Sequence, residues 1–320
     1  RAMVVYRNGN NADPDFRLWN GTAWTGAATV VPNATANRPR WIELAADPNP
    51  LLNDMVLFVA NSGRDVHGTH WNGVAWDDMG AGLWDNDTAA TTTKIMDVVY
   101  ERDAPGRAVF VWADDTSCNL SFRTWDPAGA GTLGGITPFA IPGGAGCADQ
   151  ADWVRLAADP FSSSIMLGVQ DQDNDLNTCL WIGSPPAGWN CADPPHIEHS
   201  TDVESGVNRS FDIVFASDPN RVGEAWLVWG ALAGGGTNIW RRPWNPATST
   251  WGAIDVFLGP DMCYPAAVAH PNTGVILVGN YEDANTGDIS ATQLVNGVWS
   301  GSTLLWNSGA SSTLDCQGGD

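Results

Sequence analysis

The sequence repeats in two alternating forms, and this repetition limits what the chain can fold into. The first form joins a Leu-Ala-Ala-Asp-Pro run to an apolar run and a tryptophan-rich hairpin; it begins at Trp41, at Trp153 and, in a diverged copy, at Ala266. The second form joins two apolar runs to an Arg-x-Trp motif. A period of roughly 40 to 55 residues predicts one small unit per copy, packed against its neighbours.

Each copy has the pattern of short antiparallel strands. Its apolar runs are brief and alternate, and glycine, asparagine, aspartate and proline interrupt them every ten or so residues. We therefore predict an all-β, six-bladed β-propeller of four-stranded antiparallel blades, with two alternating blade types and pseudo-threefold symmetry. The blades span roughly 1–35, 36–90, 91–146, 147–200, 201–260 and 261–320 of a single domain. Two stacked β-sandwich domains are the alternative.

The two ends of the sequence point to the same absent strand. Arg1-Ala-Met-Val aligns with Arg107-Ala-Val-Phe, which places the start of the chain after an inner strand. The segment 305–313 matches 83–92 in character, and 83–92 precedes an inner strand. We predict that the inner strand of the first blade is missing from the chain. Either the chain is part of a longer protein, or a strand from another chain completes the blade.

Charge and hydropathy exclude two classes of partner. The formal net charge is −21, and Lys94 is the single lysine. Such a surface repels nucleic acid and anionic membranes but tolerates neutral ligands and cations, although solvation alone also explains it. The sequence has no run of 18 apolar residues, so we predict no membrane span.

The six cysteines favour an oxidising compartment. Sequential pairing needs no rearrangement of a propeller and predicts the disulfides Cys118–Cys147, Cys179–Cys191 and Cys263–Cys316. Six cysteines allow fifteen connectivities, so the others stay open. An even number of cysteines with local pairing predicts a secreted, extracellular or cell-surface protein.

The Arg-x-Trp motifs are the candidate ligand-binding residues. Residues two apart on a strand share a face, so each arginine lies beside its tryptophan. An indole face suits the C–H groups of a sugar ring, while a guanidinium donates to hydroxyls. The alternative is a structural cation–π contact between blades. The candidates are Arg17, Trp19, Arg123, Trp125, Arg242 and Trp244.

The segment Asp171-Gln-Asp173-Asn-Asp175 has the alternating carboxylates of a calcium loop, which makes Ca²⁺ a possible cofactor. Leu176 stands where such a loop has glycine, and a solvated acidic hairpin is the alternative. The sequence indicates no other cofactor. The five histidines are scattered, and neither a Gly-x-Ser-x-Gly motif nor a phosphate loop occurs, so we do not expect an enzyme.

The chain resembles two groups of proteins. Leu44-Ala-Ala-Asp-Pro48, Leu156-Ala-Ala-Asp-Pro160 and Trp71-Asn-Gly73 resemble the Trp-Asn-Gly-repeat propellers of bacterial secreted and surface proteins. More distantly, Phe16-Arg-Leu-Trp-Asn-Gly21 is similar to a blade of the six-bladed fucose-binding lectins. The lectin resemblance implies sugar sites between blades, made by an arginine, a glutamate and an aromatic residue. In this chain Leu18 follows the arginine where the lectin pattern has glutamate.

These observations predict a non-catalytic extracellular binding or adhesion module that recognises glycans or a protein partner. One alternative is a structural subunit of an extracellular assembly or filament that uses strand donation between chains. A second alternative is a glycoside-acting propeller enzyme, which would need a carboxylate pair that the sequence alone does not identify.

Overall fold

The structure is a computed structural model in which every described strand belongs to an antiparallel sheet. It describes the chain except for residues 1, 10, 12, 33–36, 50, 80–81, 103–106, 117–118, 128–130, 142–148, 184–187, 192–195, 199–202, 204–208, 231–237, 259–262, 282–288 and 307–320. The strands fall into six sheets, numbered here as blades 1 to 6 in chain order.

The first three blades are formed by strands β1 to β12. Blade 1 contains β1 (Ala2–Tyr6), β2 (Asp15–Trp19) and β3 (Thr29–Val30). Blade 2 contains β4 (Pro39–Ala46), β5 (Met55–Asn61), β6 (Val66–Trp71) and β7 (Trp76–Asp78). Blade 3 contains β8 (Met96–Tyr100), β9 (Ala108–Ala113), β10 (Asn119–Asp126), β11 (Thr132–Leu133) and β12 (Thr137–Ala140).

The last three blades are formed by strands β13 to β27. Blade 4 contains β13 (Ala151–Ala158), β14 (Ile165–Asp171), β15 (Leu176–Ile182), β16 (Gly188–Asn190) and β17 (His196–Glu198). Blade 5 contains β18 (Phe211–Phe215), β19 (Ala225–Gly230), β20 (Asn238–Asn245), β21 (Thr250–Trp251) and β22 (Asp255–Leu258). Blade 6 contains β23 (Cys263–Ala269), β24 (Val275–Tyr281), β25 (Ile289–Val295), β26 (Val298–Trp299) and β27 (Thr303–Trp306).

Each blade is a meander that runs from an inner to an outer strand. In blades 3 to 6 the outer position is divided between two short strands that pair with the same third strand, as β11 and β12 both pair with β10. These blades are therefore four strands wide. The inner strands β4, β8, β13, β18 and β23 contact one another in chain order. The prediction of an all-β, six-bladed propeller is confirmed.

Apolar side chains fill the seams between blades. Phe58 of blade 2 packs edge-on against Phe110 of blade 3, with ring centroids 5.3 Å apart. Both rings are fully buried, as is Trp229 in the seam between blades 4 and 5. The alternating apolar residues of each strand face two seams, one on each side of the blade. This explains why the apolar runs alternate, and why burying them requires stacked neighbours.

Charged residues join the inner strands of blades 2 to 5. Arg155 donates to Asp212 at 2.7 Å and contacts Asp97 at 3.4 Å, while Lys94 contacts Glu43 at 2.8 Å. Burial alone would raise the pKa of Asp97, but Lys94 and Arg155 hold it below its usual value. These charges neutralise one another across blade boundaries, which is how these ionisable groups are tolerated with little exposure to solvent.

The disulfide Cys179–Cys191 links β15 to the residue that follows β16 in blade 4. The register pairs Leu180 with Asn190, so the two cysteines lie at the adjoining position of the same hairpin. The predicted pairs Cys118–Cys147 and Cys263–Cys316 involve positions outside the described residues and stay predictions.

The first blade has three strands within the described residues, in the order β1–β2–β3. Strand β1 contacts β4 of blade 2, as the second strands β9 and β19 contact the inner strands of the blades that follow them. Thus β1 occupies a second-strand position, as the alignment of Arg1 with Arg107 predicts. No helix in the described part of the chain is long and apolar enough to cross a membrane.

Candidate functional site

The three Arg-x-Trp motifs lie at matching positions on the third strands β2, β10 and β20. Each arginine donates to the carbonyl oxygen of a glycine near the outer edge of its own blade. Arg123 reaches Gly134 at 2.8 Å, and Arg242 reaches Gly252 at 2.8 Å. Arg17 makes the same type of bond to Gly26 at 2.6 Å. The three arginines therefore have the same structural role, which is to stabilise the turn beside the third strand.

The motif in blade 3 faces a seam packed with rings. The guanidinium of Arg123 lies 5.1 Å from the centre of the Trp84 ring, which belongs to the segment between β7 and β8. The ring of Trp125 lies 5.3 Å from that of His70 on β6. The cation–π contact that we considered from the sequence is thus present, but its aromatic partner is Trp84 of the preceding blade.

The motif in blade 5 faces a seam that contains open space. Trp244 packs edge-on against Trp251 at 5.4 Å, and the Trp251 indole donates to the Thr178 hydroxyl of blade 4 at 3.0 Å. Two cavities, of about 400 and about 230 Å³, share Leu180, Trp244 and Ser249 on their walls. Their other polar and aromatic walls come from Ser162, Ser163, Ser164, Thr178, Asn190, Thr248, Trp181 and Trp251.

This lining suits a neutral, hydroxyl-rich ligand. Tryptophan rings offer apolar faces, and the surrounding hydroxyls both donate and accept hydrogen bonds. Within the described residues, the walls of these two cavities contain no carboxylate. They consequently do not supply the paired acid and base that glycoside hydrolysis uses. The shape and chemistry of these walls match the ring faces and hydroxyls of a sugar.

The motif in blade 1 lies in a different setting. Phe16 and Trp71 contact each other at 5.6 Å, so Phe16 and Leu18 face blade 2 while Arg17 and Trp19 alternate to the opposite side of the strand. A cavity of about 470 Å³ lies between blades 1 and 2, with Leu18, Trp19 and Trp71 on its walls. Its lining is more apolar than that of the cavities beside Trp244.

The acidic turn of blade 4 does not form the calcium site that its spacing predicts. Within the described residues, no group of three or more His, Cys, Asp or Glu side chains could hold a metal ion. Asp171 and Asp175 are buried, whereas Asp173 is exposed at the tip of the turn. The turn therefore divides the three carboxylates between the interior and the solvent, and the prediction of Asp171, Asp173 and Asp175 as joint ligands is wrong.

Sequence reasoning missed most of the polar lining of the seam between blades 4 and 5. Thr178 and Ser249 belong to no motif that we singled out, and Trp251 lies on a two-residue strand. One signal was present in the repeat itself. Thr178 occupies the position that Gly68 occupies in blade 2, since both lie three residues before the tryptophan that ends the strand pairing.

Comparison with known proteins defines the fold further. No protein-family model matches this sequence. No curated protein matches it either. Solved structures do match: a lectin from Burkholderia pseudomallei aligns with a TM-score of 0.63 and 13% identity, covering 95% of this chain and 84% of the lectin.

Two further lectins align over nearly the whole chain. The SapL1 lectin in complex with alpha methyl fucoside has a TM-score of 0.51 and 16% identity, covering 95% of both chains. A mutant of the Aleuria aurantia lectin in complex with Fucalpha1-6GlcNAc has a TM-score of 0.50 and 12% identity, covering 98% of this chain and 93% of that one. At this identity the likeness concerns the fold. The chain shares the β-propeller architecture of these lectins.

Proposed function

We propose that this protein is a non-catalytic glycan-binding module whose binding site is the seam between blades 4 and 5. The observation that carries the proposal is the pair of cavities that share Trp244, with hydroxyl side chains on the facing blade. Arg242 supports the site because its bond to Gly252 fixes the strand that presents Trp244. The pairs Arg17/Trp19 and Arg123/Trp125 stay predicted ligand residues, with weaker support.

The ligand class follows from the lining and the charge. Tryptophan faces and hydroxyls suit a pyranose ring, and the net charge of −21 disfavours anionic sugars. Two of the similar lectins have fucosides in their structures, so fucosides are the first neutral sugars to test. We further propose an extracellular or surface location, which the disulfide Cys179–Cys191 supports.

The test is direct binding to neutral glycans. The labelled protein is applied to an array of neutral and sialylated glycans, and hits are titrated by calorimetry together with α-methyl fucoside. We expect the Trp244→Ala variant to lose affinity for the neutral hits by at least about 30-fold, because it removes the central aromatic wall. Unfolding curves of the variant show whether it is folded.

The matched control is Trp125→Ala combined with Arg123→Ala, which alters the corresponding motif in blade 3. We expect this double variant to keep the affinity of the site between blades 4 and 5, because Arg123 already contacts Trp84 and Trp125 already contacts His70. A fall in the number of sugars bound per chain, at unchanged affinity, would show that Arg123 and Trp125 form a second site. If a folded Trp244→Ala variant binds as tightly as the parent, the site is elsewhere. If no neutral glycan binds at all, the proposed function is wrong.

A further inference from the structure

The two cavities beside Trp244 lie at different positions along the seam between blades 4 and 5. The cavity of about 400 Å³ is lined by the turn between β13 and β14, and we call it the inner cavity. The cavity of about 230 Å³ is lined by Asn190 of β16 and Trp251 of β21, and we call it the outer cavity. In their sheets β13 is the inner strand, whereas β16 and β21 are outer strands. A ligand in both cavities would therefore extend outward along the seam.

The two cavities adjoin each other and have similar aromatic walls. Leu180, Trp244 and Ser249 line both of them, so these three residues lie where the cavities meet. The inner cavity has Trp181 as a second tryptophan, and the outer cavity has Trp251. Indole faces suit the C–H groups of a pyranose ring. The seam thus provides two indoles for each of two rings, with Trp244 common to both.

The volumes favour a ligand of two rings. Ligand pockets usually measure about 300 to 1,000 Å³. The outer cavity alone is smaller than this range, and the inner cavity is close to its lower limit. The two cavities taken together lie well inside the range. A single sugar ring would occupy one cavity and leave the other without ligand contacts.

Each cavity also has hydroxyl groups of its own. Ser163 and Ser164 lie on the wall of the inner cavity. In the outer cavity the Thr178 hydroxyl accepts the indole N–H of Trp251 at 3.0 Å, which leaves its own proton for donation to a ligand. Within the described residues, neither wall contains a Lys, Arg, His, Asp or Glu side chain. Both cavities therefore suit neutral, hydroxyl-bearing rings.

Contacts outside the seam fix the walls of both cavities. The Trp181 indole donates to Glu101 of blade 3 at 2.5 Å, and Arg107 of blade 3 donates to the Gly183 carbonyl at 2.7 Å. These bonds hold the end of β15 that lines the inner cavity. A disulfide links Cys191, on the wall of the outer cavity, to β15. Walls that are ordered before binding reduce the entropy that a ligand has to offset.

We propose that the seam between blades 4 and 5 binds two linked neutral pyranose rings, one in each cavity, with Trp244 between them. This proposal rests on the proposed glycan function and adds the length of the ligand. The first ring contacts Trp181 and the serines of the inner cavity, and the second contacts Trp251 and Thr178. A monosaccharide occupies the larger inner cavity alone. The ligand class is therefore a neutral disaccharide unit, free or within a longer glycan.

The test compares single sugars with disaccharides by calorimetry on the full chain. The probes are α-methyl fucoside, N-acetylglucosamine and Fucα1-6GlcNAc, together with neutral disaccharide hits from the array and the methyl glycosides of their constituent sugars. We expect at least one disaccharide to bind about tenfold or more tightly than the better of its two sugars. The second ring adds contacts without a second loss of translational freedom.

Two variants of the outer cavity assign the second ring. Thr248 is exposed on the wall of this cavity, and Thr248→Phe should fill the space. We expect this variant to bind the disaccharide about tenfold more weakly and the single sugar with unchanged affinity. Thr178→Val, which removes the hydroxyl at nearly constant volume, should weaken only the disaccharide, by about threefold. The matched control is Ala247→Phe, which adds the same ring at an exposed neighbouring position that lines neither cavity.

The outcomes separate this proposal from the glycan function itself. Equal affinity for a single sugar and its disaccharides would overturn the two-ring proposal and leave the glycan function standing. Binding of no neutral sugar of either length would contradict the glycan function. A Thr248→Phe variant that weakens the disaccharide no more than Ala247→Phe would exclude the outer cavity as the place of the second ring. Loss of single-sugar binding in a folded Thr248→Phe variant would place the first ring in the outer cavity, which also contradicts the proposal.

Discussion

Blades 2 and 4 are copies of the same blade type, yet they complete their seams differently. In blade 2 the position three residues before Trp71 is Gly68, and a Cβ there would lie 2.1 Å from the Trp84 ring. Glycine is therefore required for Trp84 to lie across β6. Arg123 of blade 3 then stacks on the indole of Trp84. The seam between blades 2 and 3 is closed by this ring.

In blade 4 the same position is Thr178, and its hydroxyl accepts the hydrogen bond of Trp251 from blade 5. The side chain occupies the place that the ring takes in blade 2, and cavities remain beside Trp244. The residue at one position of the repeat, Gly68 or Thr178, thus distinguishes the packed seam between blades 2 and 3 from the open seam between blades 4 and 5. Repeats with the same backbone can therefore differ in whether the seams between them are filled.

The largest difference between the two seams should appear when their tryptophans are truncated. We expect Trp125→Ala to lower the free energy of unfolding by about 3 to 5 kcal/mol, because it leaves a void among packed rings. Trp244→Ala should cost no more than about 2 to 3 kcal/mol, since Trp244 already borders open space. Urea unfolding followed by circular dichroism measures both. Equal losses would contradict the distinction between a packed and an open seam.

The same two blades differ at the turn between their second and third strands. In blade 2 the Asn61 amide donates to Asp65 at 2.8 Å, and the Asn61 carbonyl accepts the Asp65 N–H at 3.2 Å. In blade 4 the position of Asn61 is Asp171, which accepts the Asp175 N–H at 2.9 Å. The other Asp171 oxygen is buried without a hydrogen-bond partner. Burial, together with the charge of Asp175, raises the pKa of Asp171 to about 7.

This pKa predicts that blade 4 loses stability as the pH rises. The native state holds a proton on Asp171 up to about pH 7, whereas the unfolded chain releases it near pH 3.8. The free energy of unfolding therefore falls as the pH rises from 4 to 7. We expect Asp171→Asn to stabilise the protein by about 2 to 3 kcal/mol at pH 8, a value discounted for solvent near the turn, and much less at pH 4.

The control for this prediction is the reciprocal change in blade 2. Asn61→Asp should destabilise the protein more at pH 8 than at pH 4, because it places two carboxylates where blade 2 has an amide and a carboxylate. Thermal unfolding at both pH values gives the comparison. An Asp171→Asn variant whose gain in stability is the same at pH 4 and pH 8 would show that Asp171 does not carry the proton.

The sequence was sufficient to predict the blades, because the repeat period and the turn residues can be recognised directly in the sequence. Strands form where short apolar runs end in glycine, asparagine or aspartate, and the repeat supplies their number. It was also sufficient to place each arginine and tryptophan of the Arg-x-Trp motifs on one strand, two residues apart.

The packing of the site could not be predicted in the same way. The contact of Arg123 with Trp84 depends on where a segment of the preceding blade crosses β6. The calcium prediction failed because sequence spacing does not fix which turn side chains face inward, and Asp173 faces out. The contrast between Gly68 and Thr178 is visible in the aligned repeats, but its consequence requires the ring that lies against it.

The smallest expected effect comes from exchanging the residue types at the equivalent positions 68 and 178. Gly68→Thr forces the Trp84 ring to move, and overpacking of this kind should cost about 1 to 3 kcal/mol. Moving the ring also removes the surface on which Arg123 stacks, so Arg123→Ala should cost less in the Gly68→Thr background than in the parent protein. Urea unfolding of the two single variants and the double variant measures this coupling. Additive losses would show that Gly68 and Arg123 do not act through the same ring.

Thr178→Gly is the matched control in blade 4. It deletes the hydrogen bond from Trp251 and should cost about 1 kcal/mol, and it should show no coupling to Arg123.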